Sequence, residues 1–129
     1  MRLLYLSLML WSFSSCDKKN NAAVINELTG HYRGTFARTG MDTAEVELFF
    51  KTDHSFNGRA GKQNYPAICS GSFLQTGNDL EVNDACTWTA NFDWSLIFDG
   101  NYSLSFTNEN TVRIKRANGD EYVLTRVSQ

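Results

Sequence analysis

From Leu28 to the end of the chain, apolar side chains return at close to every second position, and Gly, Asn and Asp punctuate the runs. A period of two belongs to a strand with one face buried, and no stretch beyond the first 15 residues sustains the spacing of a long helix. The strands expected on this basis begin with 30–38, which sets Tyr32, Gly34 and Phe36 on one face, and 43–51, which turns Val46, Leu48 and Phe50 inward with Phe49 interrupting the alternation. A short strand at 55–58 precedes the Gly-rich stretch 58–64, read as a mobile loop, and Pro66 stands where a missing N–H is tolerated ahead of a strand at 68–76. After the Gly77-Asn78-Asp79 turn comes 80–83. The period is lost over 84–93, where Trp88 and Phe92 stand four apart and a helical turn, a lid or a strand are all open. Trp94, Leu96 and Phe98 then alternate, and Asp99-Gly100 is expected to turn them back as a hairpin onto Tyr102, Leu104 and Phe106. Strands at 111–116 and 121–127, joined at Asn118-Gly119, complete a set of eight or nine. Antiparallel strands in that number form a sandwich or close on themselves, and closure removes both exposed edges. The expectation is all-β: a small antiparallel up-and-down barrel of about eight strands.

The first residues follow a different rule. Met1-Arg2, an apolar run from Leu3 to Phe13, and Ser14-Ser15-Cys16 have the order of a secretory signal, and the run is too short to span a bilayer permanently. Phe13-Ser14-Ser15-Cys16 resembles the lipobox of bacterial lipoproteins, with Phe where Leu is more usual, which implies that residues 1–15 are a lipoprotein signal peptide and that Cys16 carries the lipid. An ordinary free cysteine behind a conventional cleavage site is the other reading. Residues 16–27 read as a lipidated Cys16 and a flexible tether, since Lys18, Lys19, Asn20 and Asn21 offer nothing to bury, and 28–129 as the barrel domain. Of 129 residues, the 114 from Cys16 onward suit a single core. The net charge of −2 becomes −3 when Arg2 leaves with the signal, so there is no basic surplus for phosphates and nucleic acid is not an expected partner.

With Cys16 taken by lipid, Cys69 and Cys86 are left as a pair in an oxidising compartment, and two thiols in one small domain are expected to join there. The 18-residue loop they close, counting both ends, is worth roughly 3 kcal/mol in the chain-entropy model.

Leu28-Thr29-Gly30-His31-Tyr32-Arg33-Gly34-Thr35-Phe36, with the closing Tyr122-Val123-Leu124-Thr125-Arg126, resembles the small lipocalin-like, calycin-type lipoproteins of Bacteroidetes-type bacteria. In the wider group a Gly-x-Trp on the first strand packs against an arginine of the last. Gly30-His31-Tyr32 keeps that spacing with Tyr in place of Trp, and Arg126 stands where the closing arginine would be, so the resemblance implies a cation–π contact between Tyr32 and Arg126. It also implies an outer-membrane location in the cell envelope, reached through the lipid. Asp42-Thr43-Ala44 resembles the short site that such bacteria O-glycosylate, although a turn residue leading into a strand accounts for it as well.

No residue set carries a catalytic signature. His31 and His54 are the only histidines, no serine lies in a nucleophile elbow, and His54 beside Asp53 is the nearest approach to an acid–base pair, so an enzyme is not expected. Asp79, Glu81, Asp84, Asp93 and Asp99 gather near turns without the spacing of a calcium loop, and neither a metal nor another cofactor is expected. Binding is the expected role. Tyr32, Phe36, Phe50, Trp94, Tyr102 and Phe106 could line a site for a small hydrophobic ligand, with Arg116 or Arg126 on an acidic head group, or they could fill the interior. The second reading is a protein-interaction module, such as a hydrolase inhibitor or an accessory subunit on the envelope. Its marker would be an exposed apolar patch at Trp88 and Phe92.

Overall fold

The computed structural model describes residues 26–89 and 91–129, so the expected signal peptide and Cys16 lie outside the described residues. Eight strands follow one another around a closed barrel: β1 (Gly30–Ala37), β2 (Ala44–Phe50), β3 (Ser55–Ala60), β4 (Ser70–Thr76), β5 (Asp79–Asp84), β6 (Gly100–Asn108), β7 (Thr111–Lys115) and β8 (Glu121–Ser128). Each pairs antiparallel with its neighbour in sequence, and β8 returns to pair with β1 from His31↔Ser128 to Ala37↔Glu121. The barrel and the inward faces follow from the alternation. Tyr32 and Phe36 on β1, Val46, Leu48 and Phe50 on β2, and Val112 and Ile114 on β7 are all buried. Fully burying a side chain of this size contributes about 1.5–3 kcal/mol relative to leaving it in water.

The inward positions Gly34, Gly58 and Gly71 hold glycine because the strands coil too tightly for anything larger. A Cβ at Gly34 would run into the carbonyl oxygen of Val123 on β8, and one at Gly71 into that of Asn83 on β5. At these points the backbone of one strand occupies the space that a side chain would take.

The antiparallel order divides the connections into two groups. The lower end carries residues 26–29, 51–54, 77–78 and 109–110; the upper end carries 38–43, 61–69, 85–99 and 116–120. Leu28, 1% exposed, stops the lower end: its N–H donates to Gln75 Oε1 at 2.8 Å, and Gln75 Nε2 donates to the Asn26 carbonyl at 2.8 Å. The chain thus enters the fold from below.

The upper end departs most from expectation. Residues 94–98 are not a strand, and Asp99-Gly100 is not a hairpin turn onto β6, which pairs instead with β5 and β7. Trp94–Leu96 is a single 3₁₀ turn, begun because Asp93 Oδ1 accepts both the Ser95 N–H at 2.9 Å and its hydroxyl at 2.7 Å. Ile97 then bridges Ala67 in parallel fashion, which drops Leu96 and Phe98 into the barrel mouth and leaves Trp94 outside. The 58–64 stretch also differs, because β3 continues to Ala60 opposite Val46, and Gly61 donates to the Glu45 carbonyl at 2.7 Å. The strand expected from Ile68 begins at Ser70, and Pro66 is buried in the connection before it, behind a cis peptide bond. Cys69 and Cys86 form a disulfide with their Cα atoms 6.3 Å apart, tying the connection ahead of β4 to the long loop that leaves β5.

Candidate functional site

The rings proposed from sequence as pocket lining divide between interior and surface. Tyr32, Phe36, Phe50 and Tyr102 face inward at 0–5% exposure, and Phe106 is half-buried against the same core. Trp94 is corrected: it stands outside the barrel at 58% exposure because the 3₁₀ turn reverses its direction relative to Leu96. The inward rings fill the axis by touching one another. Phe98 makes ring contacts with Tyr122 and Tyr102 at 5.1 Å, Phe56 at 5.4 Å and Phe50 at 6.4 Å, Phe50 continues to Phe73 at 5.1 Å, and Tyr122 meets Phe36 at 4.9 Å. Such edge-on and tilted pairs each add about 0.5–1.5 kcal/mol beyond area burial.

Both arginines considered for a ligand's head group are engaged with the fold. Arg126 lies over the Tyr32 ring with its Cζ 5.3 Å from the centroid, and its Nε and Nη2 donate to the Tyr32 hydroxyl at 3.1 and 2.7 Å. This is the contact implied by the resemblance, and it closes the β1–β8 seam at the lower end. Arg116 lies 5.0 Å from the Tyr102 ring and donates to the Ser95 carbonyl at 2.8 Å and to that of Asp99, fastening the segment over the mouth. Burial pushes the Tyr102 phenol up to about 12, against the opposing pull of the Arg116 charge.

A second clamp at the upper end was not legible in sequence, since its partners lie 82 residues apart. Arg38 donates from Nε and Nη2 to the two carboxylate oxygens of Asp120, each at 2.7 Å, and from Nη1 to Asp93 Oδ2 at 3.1 Å. Asp120 is the one buried charged residue among those described. The Asp93 carboxyl is held below its ordinary range chiefly by the Ser95 hydroxyl and N–H, with Arg38 adding to the effect.

Outside the barrel, Phe49 keeps the strand's alternation and faces outward, an apolar ring where the pattern expects a polar side chain, and stacks on His31 with centroids 4.1 Å apart and planes 9° from parallel. Beside it Glu47 accepts from Arg59 at 3.0 Å and meets His31 at 2.9 Å, and Arg59 is the first cause of its lowered carboxyl pKa. Recesses of about 640 and 650 Å³ cross this outer face, the first lined by Arg33, Glu47 and Arg59, the second by His31, Phe49 and Lys51. Among the described residues no three of His, Cys, Asp and Glu are placed to hold a metal ion. Asp84 accepts from the Trp88 indole, and Asp99 accepts the Asp84 N–H. His54 occupies an exposed turn at φ 67°, while Asp53 accepts from Ser55.

The remaining feature is the loop that follows β5. Trp88 and Phe92 form no helical turn yet still meet, edge to face at 5.7 Å, and Phe92 continues to Trp94 at 6.4 Å with planes 36° apart. Trp88 and Phe92 are half-buried and Trp94 is exposed, so three rings form a row on the upper end. The row is fixed on one side by the disulfide at Cys86 and on the other by Asp93 and the two arginine clamps. No protein-family model, no curated protein and no solved structure matches this chain.

Proposed function

We propose that this chain is a non-catalytic lipoprotein of the bacterial envelope that acts by contacting another protein, with the barrel as a solid pedestal and the Trp88–Phe92–Trp94 row as its contact surface. The filled barrel axis carries this reading. Rings that would have to part for an internal ligand are in contact with each other, from Phe36 through Tyr122 and Phe98 to Phe50 and Phe73. Three aromatic rings that interior packing leaves over, Trp88, Phe92 and Trp94, stand together by contrast in a pinned loop at one end, whereas the exposed apolar side chains Met41, Leu74 and Val127 are scattered singly. Rigid rings make effective contact anchors at small entropic cost.

The placement of the two ends supports the same reading. A lipid on Cys16 would approach the barrel from below, through a tether of ten residues reaching at most about 35 Å, and would leave the aromatic row pointing away from the membrane. The Tyr32–Arg126 contact fits the lipocalin-like resemblance, which on this reading is a likeness of architecture without the internal ligand.

A photo-crosslinking amino acid at position 94, compared with one at Glu109 on the lower end, tests the proposal in the intact envelope. A discrete protein adduct from position 94 and none from 109 is the expected result. Native mass spectrometry of the purified chain supplies the opposing arm: a small molecule retained at one equivalent, with no adduct at 94, would return the function to the barrel interior.

A further inference from the structure

We infer that the aromatic row receives a cationic segment of its protein partner, an arginine or lysine side chain laid against Trp94 and Phe92. The inference rests on the protein-contact reading above and names the chemistry of the partner. Its basis is charge complementarity around an exposed aromatic surface. Residues 84–99 include Asp84, Asp93 and Asp99 together with Trp88, Phe92, Trp94 and Phe98, and contain no Lys, Arg or His. The arginines that approach this segment are committed to the fold. Arg38, with its side chain 17% exposed, grips Asp120 with two hydrogen bonds, and Arg116 is spread over Tyr102 and bonded to backbone carbonyls. Asp93 meanwhile keeps 60% of its side chain exposed next to Trp94, even while paired with Arg38.

An aromatic face carries negative quadrupole density, so a guanidinium or ammonium is attracted to it, most strongly at Trp. Nearby carboxylates add long-range attraction for the same charge and repel an acidic partner. A purely apolar partner would gain area but would strip water from the exposed side of the Asp93 carboxylate, whose pairing with Arg38 engages only Oδ2 at 3.1 Å, and would offer no donor in return. Trp88 is held by its indole N–H on Asp84 Oδ2 at 2.7 Å, which fixes the back of the row and leaves Trp94 as its most accessible ring.

Trp11 belongs to the expected signal, so a full chain carrying Trp11→Phe reports by fluorescence on Trp88 and Trp94 alone, both of them in the row. Titrated with hexaarginine amide, this chain is expected to show saturable quenching that weakens as salt is raised. Trp94→Leu, which keeps apolar bulk and removes the π face, is expected to weaken binding about fivefold, equivalent to about 1 kcal/mol. Trp94→Phe should restore part of it, and Glu109→Gln should leave it unchanged. Equal affinity in Trp94→Leu, an equal loss in Glu109→Gln, or saturation by hexaglutamate or cellohexaose in place of hexaarginine would overturn the inference. An adduct at position 94 in the envelope combined with any of those results sinks the cationic partner and leaves the protein-contact reading standing; loss of the adduct as well sinks both.

Discussion

Arg38→Met is the most informative single change to the fold, because it removes a charge whose partner has nowhere to go. Asp120 is 2% exposed, and its two carboxylate oxygens accept from Arg38 at 2.7 Å each, with Asn118 Nδ2 adding one bond at 3.1 Å. The pair holds the Arg38 guanidinium protonated more firmly than usual, through the Asp120 hydrogen bond first and its charge second. Methionine keeps most of the stem and strands the carboxylate, and breaking a buried pair from one side costs about 3–5 kcal/mol. The remaining Asn118 contact places the expected loss near the lower figure, still a large share of the roughly 5–15 kcal/mol available to a domain. Urea unfolding followed by circular dichroism should register it as a midpoint about 2 M lower, taking a denaturant slope of about 1.5 kcal/mol/M. Adding Asp120→Leu to Arg38→Met removes the stranded charge and should recover most of the loss. A single variant within about 1 kcal/mol of the parent, or a double variant as unstable as the single, would refute the reasoning.

Four further outcomes follow from the same structure. Cys86→Ala should lower the melting temperature under non-reducing conditions, by the equivalent of about 3 kcal/mol, and expose one titratable thiol at Cys69; an unchanged melting point counts against the bridge. Tyr32→Phe removes the acceptor of two charged N–H donors and should cost about 1.5–3 kcal/mol in chemical denaturation, against a null result if the β1–β8 seam is held without it. Trp94→Ala should stay within about 0.5 kcal/mol of the parent while Phe98→Ala loses about 3–5, and equal losses would mean that residues 94–98 are an ordinary strand after all. In alkali the unfolded chain ionises Tyr102 near its ordinary pKa of 10.0 and the folded one near about 12, so stability is intact below the first value and falls as pH climbs toward the second. Tyr102 alone accounts for about 3 kcal/mol of that fall, with burial of Tyr122 acting in the same direction, and an alkaline unfolding midpoint unmoved by Tyr102→Phe would argue against it.

The parts of the fold legible in sequence are those decided by neighbours two residues apart. Val46, Leu48 and Phe50 alternate because one face of β2 is buried, and that needs no knowledge of what buries it. Residues 94–98 mislead for the opposite reason. Leu96 and Phe98 do alternate inward, but their backbone partner is Ala67 in a distant loop, and the local contest between strand and turn is settled by the Asp93 side chain acting on Ser95. An Asp two residues before a Ser is a turn signal, and it was the clue available. At the site, Trp88 and Phe92 were recognisable from their lost period. Trp94 joined them only once the turn reversed it, and the Arg38–Asp120 clamp depends on closure bringing the end of β1 beside the turn that precedes β8.

The position of β1 also decides how the molecule bears load. A pull between the segment preceding Asn26 and a partner held at the upper loops runs along the strands and draws β1 downward between β2 and β8. Its seven registered residue pairs with β2 and seven with β8 then resist together in shear, where a pull across the strands would peel them one by one. A barrel tethered below and gripped above, as proposed, would therefore be loaded in its mechanically stiff direction.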